Sequence, residues 1–86
     1  MTTLTVFNKN DRKDLLIVNT DKLVGKATKS LYIRKGFVNG TLFLSQKGHG
    51  AEGAGDVCRI DDNRVEVSDG LFERIRTFAQ KANALI

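Results

Sequence analysis

The chain changes its hydrophobic period once, and that change constrains the fold more than any other feature. In Thr3–Asn8, Leu4 and Val6 alternate with Thr3 and Thr5, the period of a half-buried strand, whereas Leu71, Ile75, Phe78, Ala82 and Leu85 fall at the three- and four-residue spacings of a helix. Short strands joined by tight turns, followed by one amphipathic helix, predict an α+β fold. We expect a mainly antiparallel sheet of five or six strands, with the C-terminal helix packed across one face. At 86 residues there is room for one hydrophobic core, so residues 1–86 are expected to form a single domain.

Between the first strand and the helix the turn chemistry is explicit. Asn8–Asp14 is polar and predicts a turn. Leu15, Leu16, Ile17 and Val18 form a continuous apolar run, which predicts a central strand covered on both faces. Asn39-Gly40 sits between two strand-like runs and favours a two-residue type I′ turn, because both central residues need positive φ. That turn pairs Phe37 with Leu42, Arg34 with Ser45 and Tyr32 with Lys47. One face then carries Leu31, Ile33, Phe37, Leu42 and Leu44, and the other carries Tyr32, Arg34, Val38, Phe43, Ser45 and Lys47. A second hairpin is expected over Val57–Ser68, turning at Asp62 and Asn63, because that register sets Ile60 against Val65, Cys58 against Val67 and Arg59 against Glu66. In the helix the stripe from Leu71 to Leu85, flanked by Phe72 and Ala79, is expected inward. Arg74, Arg76, Thr77, Gln80, Lys81 and Asn83 are expected towards water, with Ser68 or Asp69 as N-cap.

Charge is distributed unevenly. The formal net charge is +4, and no acid occurs between Lys22 and Ala51, an interval holding Lys26, Lys29, Arg34, Lys35 and Lys47. A basic strip of this kind attracts polyanions. The single cysteine, Cys58, leaves no intrachain disulfide and fits a reducing, cytoplasmic setting. No export signal and no membrane span is expected from the residue pattern.

Few residues carry a chemical signature. Gly48-His49-Gly50-Ala51-Glu52-Gly53 is a literal G-x-G-x-x-G, with Gly55 beyond it, but a strand and not a helix is predicted to follow. Gly48, His49, Gly50, Gly53 and Gly55 therefore form a candidate ligand loop without the helix terminus that would cradle a pyrophosphate. His49 is the only histidine, and one histidine with one cysteine falls short of a zinc site. Cys58 is expected inward as a small hydrophobe. No catalytic residue, metal site or cofactor is assigned.

The remaining constellation is the basic-aromatic face of Lys26, Lys29, Tyr32, Arg34, Phe43 and Lys47. Cations neutralise phosphates and exposed rings stack on unpaired bases, so the first functional expectation is non-catalytic binding of nucleic acid or another polyanion. A protein-binding inhibitor or adaptor, of the kind a phage or mobile element encodes, is the second. Its partner would be an acidic protein or a second copy of the chain. An anionic small-molecule or nucleotide binder using the Gly48–Gly55 loop is the third.

Overall fold

A computed structural model describes residues 2–38, 40–48 and 54–86. It is α+β, with strands β1 (Thr3–Asn8), β2 (Asp11–Asn19), β3 (Leu31–Lys35), β4 (Leu42–Gln46), β5 (Asp56–Arg59) and β6 (Arg64–Val67), then helix α1 (Asp69–Lys81). The strands form two three-stranded sheets, ordered β2-β1-β6 and β3-β4-β5, in place of the single sheet expected.

The division arises at Ile60–Asn63. This segment was expected to turn a hairpin, but β5 pairs antiparallel with β4, while β6 pairs parallel with β1, setting Val65 beside Val6. The Ile60 N–H donates to the Leu42 carbonyl in one sheet, and the Asn63 carbonyl accepts from the Thr5 N–H in the other. The segment thus crosses between sheets. The expected Arg59–Glu66 pair does not form: Arg59 pairs with its near neighbour Asp61, and Glu66 with the distant Arg12.

The β1–β2 turn is tighter than the polar run suggested. Asn8 pairs with Asp11, and the Asn10 N–H donates to the Asn8 side-chain oxygen at 2.9 Å. Strand β2 is an edge strand, not a central one. Leu16 and Val18 point into the core, whereas Leu15 and Ile17 remain 41% and 42% exposed. Its outer edge is met by the C-terminal tail, where Asn19 N–H donates to the Ala84 carbonyl at 2.7 Å and Ile86 N–H to the Ile17 carbonyl at 3.0 Å.

The tail reaches that edge because α1 stops sharply. Asn83 adopts φ 53°, and the N–H groups of Asn83 and Ala84 close back on the carbonyls of Gln80 and Ala79. This is the Schellman arrangement, with asparagine in the left-handed position. Leu85 therefore leaves the helix and bridges to Val18. The buried stripe is Phe72, Ile75, Phe78 and Ala79, rotated towards Phe72 from the expected one, with Leu71 and Ala82 at its margins. That stripe packs with Leu4, Val6, Leu16 and Val18 of one sheet and Leu31 and Leu44 of the other, so the helix joins both. Each of the larger side chains among them contributes about 1.5–3 kcal/mol on burial. Among the described residues, no helix is long and apolar enough to cross a membrane.

Candidate functional site

Strands β3 and β4 carry the expected basic-aromatic face. Tyr32 lies opposite Ser45 and Arg34 opposite Phe43, a register two residues from the predicted one. The slip occurs because the strands end at Lys35 and Leu42. The Gly36 N–H donates to the Thr41 carbonyl and the Thr41 N–H to the Val38 carbonyl, so Phe37 and Val38 belong to the connection. A slip of two preserves side-chain parity, which is why Tyr32, Arg34 and Phe43 still share a face. Gly40, at φ +86°, takes the left-handed conformation expected of it, while Asn39 lies outside the described residues.

Two members of that face are already engaged within the protein. The Arg34 guanidinium stands 4.4 Å over the Phe43 ring centroid, and a Cβ on Gly36 would come within 2.8 Å of the same ring. The half-buried Phe43 ring is thus covered by Arg34 and packed against Gly36, which leaves less of it open as a platform. Arg34 also forms a two-pronged ion pair with Asp56, with Nε donating to Oδ1 at 2.7 Å and a terminal nitrogen donating to Oδ2. The Ser45 hydroxyl donates to the same carboxylate at 2.5 Å. The Arg34 hydrogen bond holds the Asp56 carboxyl below its ordinary value, against the opposing effect of burial and with help from Ser45. Arg34 is a structural cation as much as a surface one.

The other cations collect elsewhere. Thr28 pins residues 26–30 into a compact turn: its N–H donates to the Leu31 carbonyl, and its hydroxyl oxygen accepts from the N–H groups of Ser30 and Leu31. Opposite this turn runs the exposed side of α1. A groove of about 320 Å³ lies between them, lined by Thr28, Lys29 and Ser30 on one side and Glu73, Arg74, Thr77 and Lys81 on the other. A smaller hollow of about 110 Å³ adjoins it, sharing Thr28 and Lys81 and adding Lys26. Lys47 stands at the same end of the sheet, since its N–H donates to the Ser30 carbonyl at 2.9 Å.

Arg74 is oriented across the groove by neutral partners, the Gln46 side-chain oxygen at 2.8 Å and the Ser30 hydroxyl at 3.3 Å. Glu73 is 3.5 Å from Arg76. Among the described residues, Lys26, Lys29, Lys47, Arg74 and Lys81 take part in no ion pair. Arg74 and Lys81 read from the sequence as plain solvated surface. Their spacing with Thr77 puts them on one helical face, but only the fold brings that face to Lys26 and Lys29.

Phe37 is another residue that sequence reasoning misplaced. Expected inward beside Leu42, it is 90% exposed, with Val38 71% exposed, because strand alternation no longer governs beyond Lys35. Both residues border a hollow of about 310 Å³, together with Arg34, Gly36, Thr41, Phe43 and Arg59.

The other candidates offer less chemistry. Cys58 lies beside Leu44 at the margin of the core, and burial, aided by Asp62, pushes its thiol up to about 12, so it holds its proton rather than acting as a thiolate. Of the glycine loop, Gly48 is exposed at φ +88° and the Gly55 carbonyl accepts from the Gln46 N–H. His49, Gly50 and Gly53 lie outside the described residues. Among the described residues, no group of three His, Cys, Asp or Glu side chains could hold a metal ion. Comparison with protein-family models, with curated proteins and with solved structures found no match, so a functional reading must rest on these residues alone.

Proposed function

We propose that the protein is a non-catalytic binder of nucleic acid or another polyanion, and that its contact surface is the groove between residues 26–30 and α1, extended by Lys47. The supporting observation is the gathering of Lys29, Arg74 and Lys81 along the groove and of Lys26 in the hollow beside it, with Lys47 joined to Ser30 through its backbone, none of them in an ion pair among the described residues. Elsewhere Arg12, Arg34, Arg59 and Arg76 each have an acid beside them; Lys9, Lys13, Lys22, Lys35 and Arg64 are also outside any ion pair among the described residues, so what distinguishes the groove is that its unpaired cations stand together. Glu73 also lines the groove but is turned to Arg76, and the cations there outnumber it, an excess that raises the local concentration of anions in a concave site. Phosphates bound there would displace condensed counterions, and affinity would then fall with salt.

If five cations contact phosphate, the log–log salt slope for a single strand is about −3.5, from roughly 0.7 per contact. Lys29→Ala and Lys81→Ala should each lower that slope by just under one unit. Lys9→Ala, in the β1–β2 turn, should leave it unchanged. An anisotropy titration at about 50 mM salt that finds no association with any polyanion near 100 μM protein would overturn the reading. The protein-binding alternative would then take precedence, favoured by Leu15, Ile17 and Ile86. These are exposed apolar residues along one edge, linked by the Ile86–Ile17 backbone hydrogen bond.

A further inference from the structure

We infer that the protein selects single-stranded over double-stranded nucleic acid, with Phe37 stacking on an unpaired base while the groove beside α1 holds the phosphates. This rests on the polyanion-binding reading above and adds to it a substrate class and a residue. Phe37 is 90% exposed at the tip of the β3–β4 connection, where it contributes almost nothing to the core. An exposed ring of this kind has a π-face free for a planar partner. The hollow beside it, about 310 Å³, is at the lower end of small-molecule pockets and large enough for a heterocycle.

Charge favours a nucleic acid as the occupant over a neutral protein segment. The tip and the turn at 26–30 both belong to the interval between Lys22 and Ala51 that contains no acid. From Ser30 to Phe37 the chain advances seven residues, about 23 Å at the rise of a strand. A single strand of a few nucleotides covers that reach and lies within the site sizes of single-strand binders. A duplex keeps its bases stacked inside, so it could meet the cations but not the ring.

The two ends of the site would act by different physics. Arg34 and Arg59, which border the hollow, are each ion-paired, to Asp56 and Asp61. The tip therefore adds stacking with little unneutralised charge, whereas the groove adds charge. Loss of Phe37 should weaken binding without changing its salt dependence.

The test is an anisotropy titration with a labelled oligothymidylate of about a dozen nucleotides and with a duplex of the same length, at several salt concentrations. The wild type should bind the single strand about tenfold or more tightly than the duplex. Phe37→Ala should lower single-strand affinity about five- to a hundredfold, leaving the salt slope and the duplex affinity unchanged. Phe37→Trp should retain binding, and Phe37→Leu should not. Equal wild-type affinity for the two nucleic acids, unchanged binding by Phe37→Ala, or full retention by Phe37→Leu would overturn the stacking assignment. In that event the groove reading would still stand, provided Lys29→Ala and Lys81→Ala lower the salt slope. Absence of binding to every polyanion would remove both. Thermal unfolding of each variant checks that the fold is intact.

Discussion

The two sheets have the same number of strands and share one helix, yet their charges are arranged in opposite ways. In β2-β1-β6, Arg12 pairs with Glu66, and both Arg12 and Arg64 lie over the Phe7 ring, at 5.5 and 4.9 Å. Asp14 meets Arg76 of the helix, and the C-terminal tail bonds to the outer edge. Around β3-β4-β5, Arg34 and Arg59 are paired, while Lys26, Lys29 and Lys47 have no acid partner among the described residues and Phe37 stands in water. Lys13 and Arg64 of the first sheet are in no ion pair among the described residues either, but its strands set Arg12, Lys13 and Arg64 against Asp11, Asp14 and Glu66, whereas those of the second set Arg34, Lys35 and Arg59 against Asp56 alone. This asymmetry is the physical basis for placing function on the second sheet.

The largest expected effects test whether the two halves share one core. Phe72→Ala should cost about 3–5 kcal/mol and Leu44→Ala about 2–5, because both side chains are fully buried in the same cluster. Phe37→Ala should stay within about 0.5 kcal/mol. Denaturant unfolding followed by two spectroscopic probes checks this. Coincident transitions in all variants support a common core. A Leu44→Ala protein that loses one sheet while keeping the other would break the comparison, since the sheets would then be independent.

An intermediate effect belongs to the second sheet. Asp56→Asn should cost about 1–3 kcal/mol, because it weakens the Arg34 pair and the Ser45 hydrogen bond at a site where the carboxylate is only one-fifth exposed. The folded-state carboxyl titrates below its ordinary value of 3.8, so its contribution is present above that pH and is lost as pH falls through the lower, folded-state value. Stability measured against pH should therefore separate wild type from variant near neutrality and bring them together in acid. A constant difference down to pH 2 would mean that the carboxylate charge is not what stabilises the sheet.

How much of this was legible depended on sequence separation. The bounds of β1, the start of the helix after Ser68 and the left-handed Gly40 all follow from neighbouring residues, and each matches, whereas the stripe expected to run to Leu85 stops with the helix at Lys81. The shared face of Tyr32, Arg34 and Phe43 survived a wrong register only because the slip was two residues and not one. The pairing of Val65 with Val6 was hidden, because Val57–Ser68 is as self-complementary on paper as a real hairpin. The groove was hidden for a related reason. Lys29 and Lys81 stand on opposite sides of it, and no local pattern says that the turn after the 3₁₀ segment Thr20–Lys22 lies against the last turns of α1. Leu15 and Ile17 misled in the other direction, since an apolar run marks a doubly covered strand only if a second layer arrives.

The smallest effect concerns the edge of the first sheet, and it sharpens the comparison by being local. Asn83 holds φ 53° at the end of α1, and that conformation sends Ala84–Ile86 against β2. A β-branched residue pays steric strain there, so Asn83→Val should cost about 1–2 kcal/mol, whereas Asn83→Gly should be neutral within about 0.5. The loss should fall on the tail and not on the molecule as a whole. Amide hydrogen exchange should accelerate at Asn19 and Ile86, whose N–H groups bond to the Ala84 and Ile17 carbonyls, and stay unchanged at Gly36 and Gln46 in the second sheet. If Asn83→Val raised exchange equally in both sheets, the tail would be stabilising the common core rather than one edge. The balanced half of the molecule would then owe nothing in particular to its C-terminus.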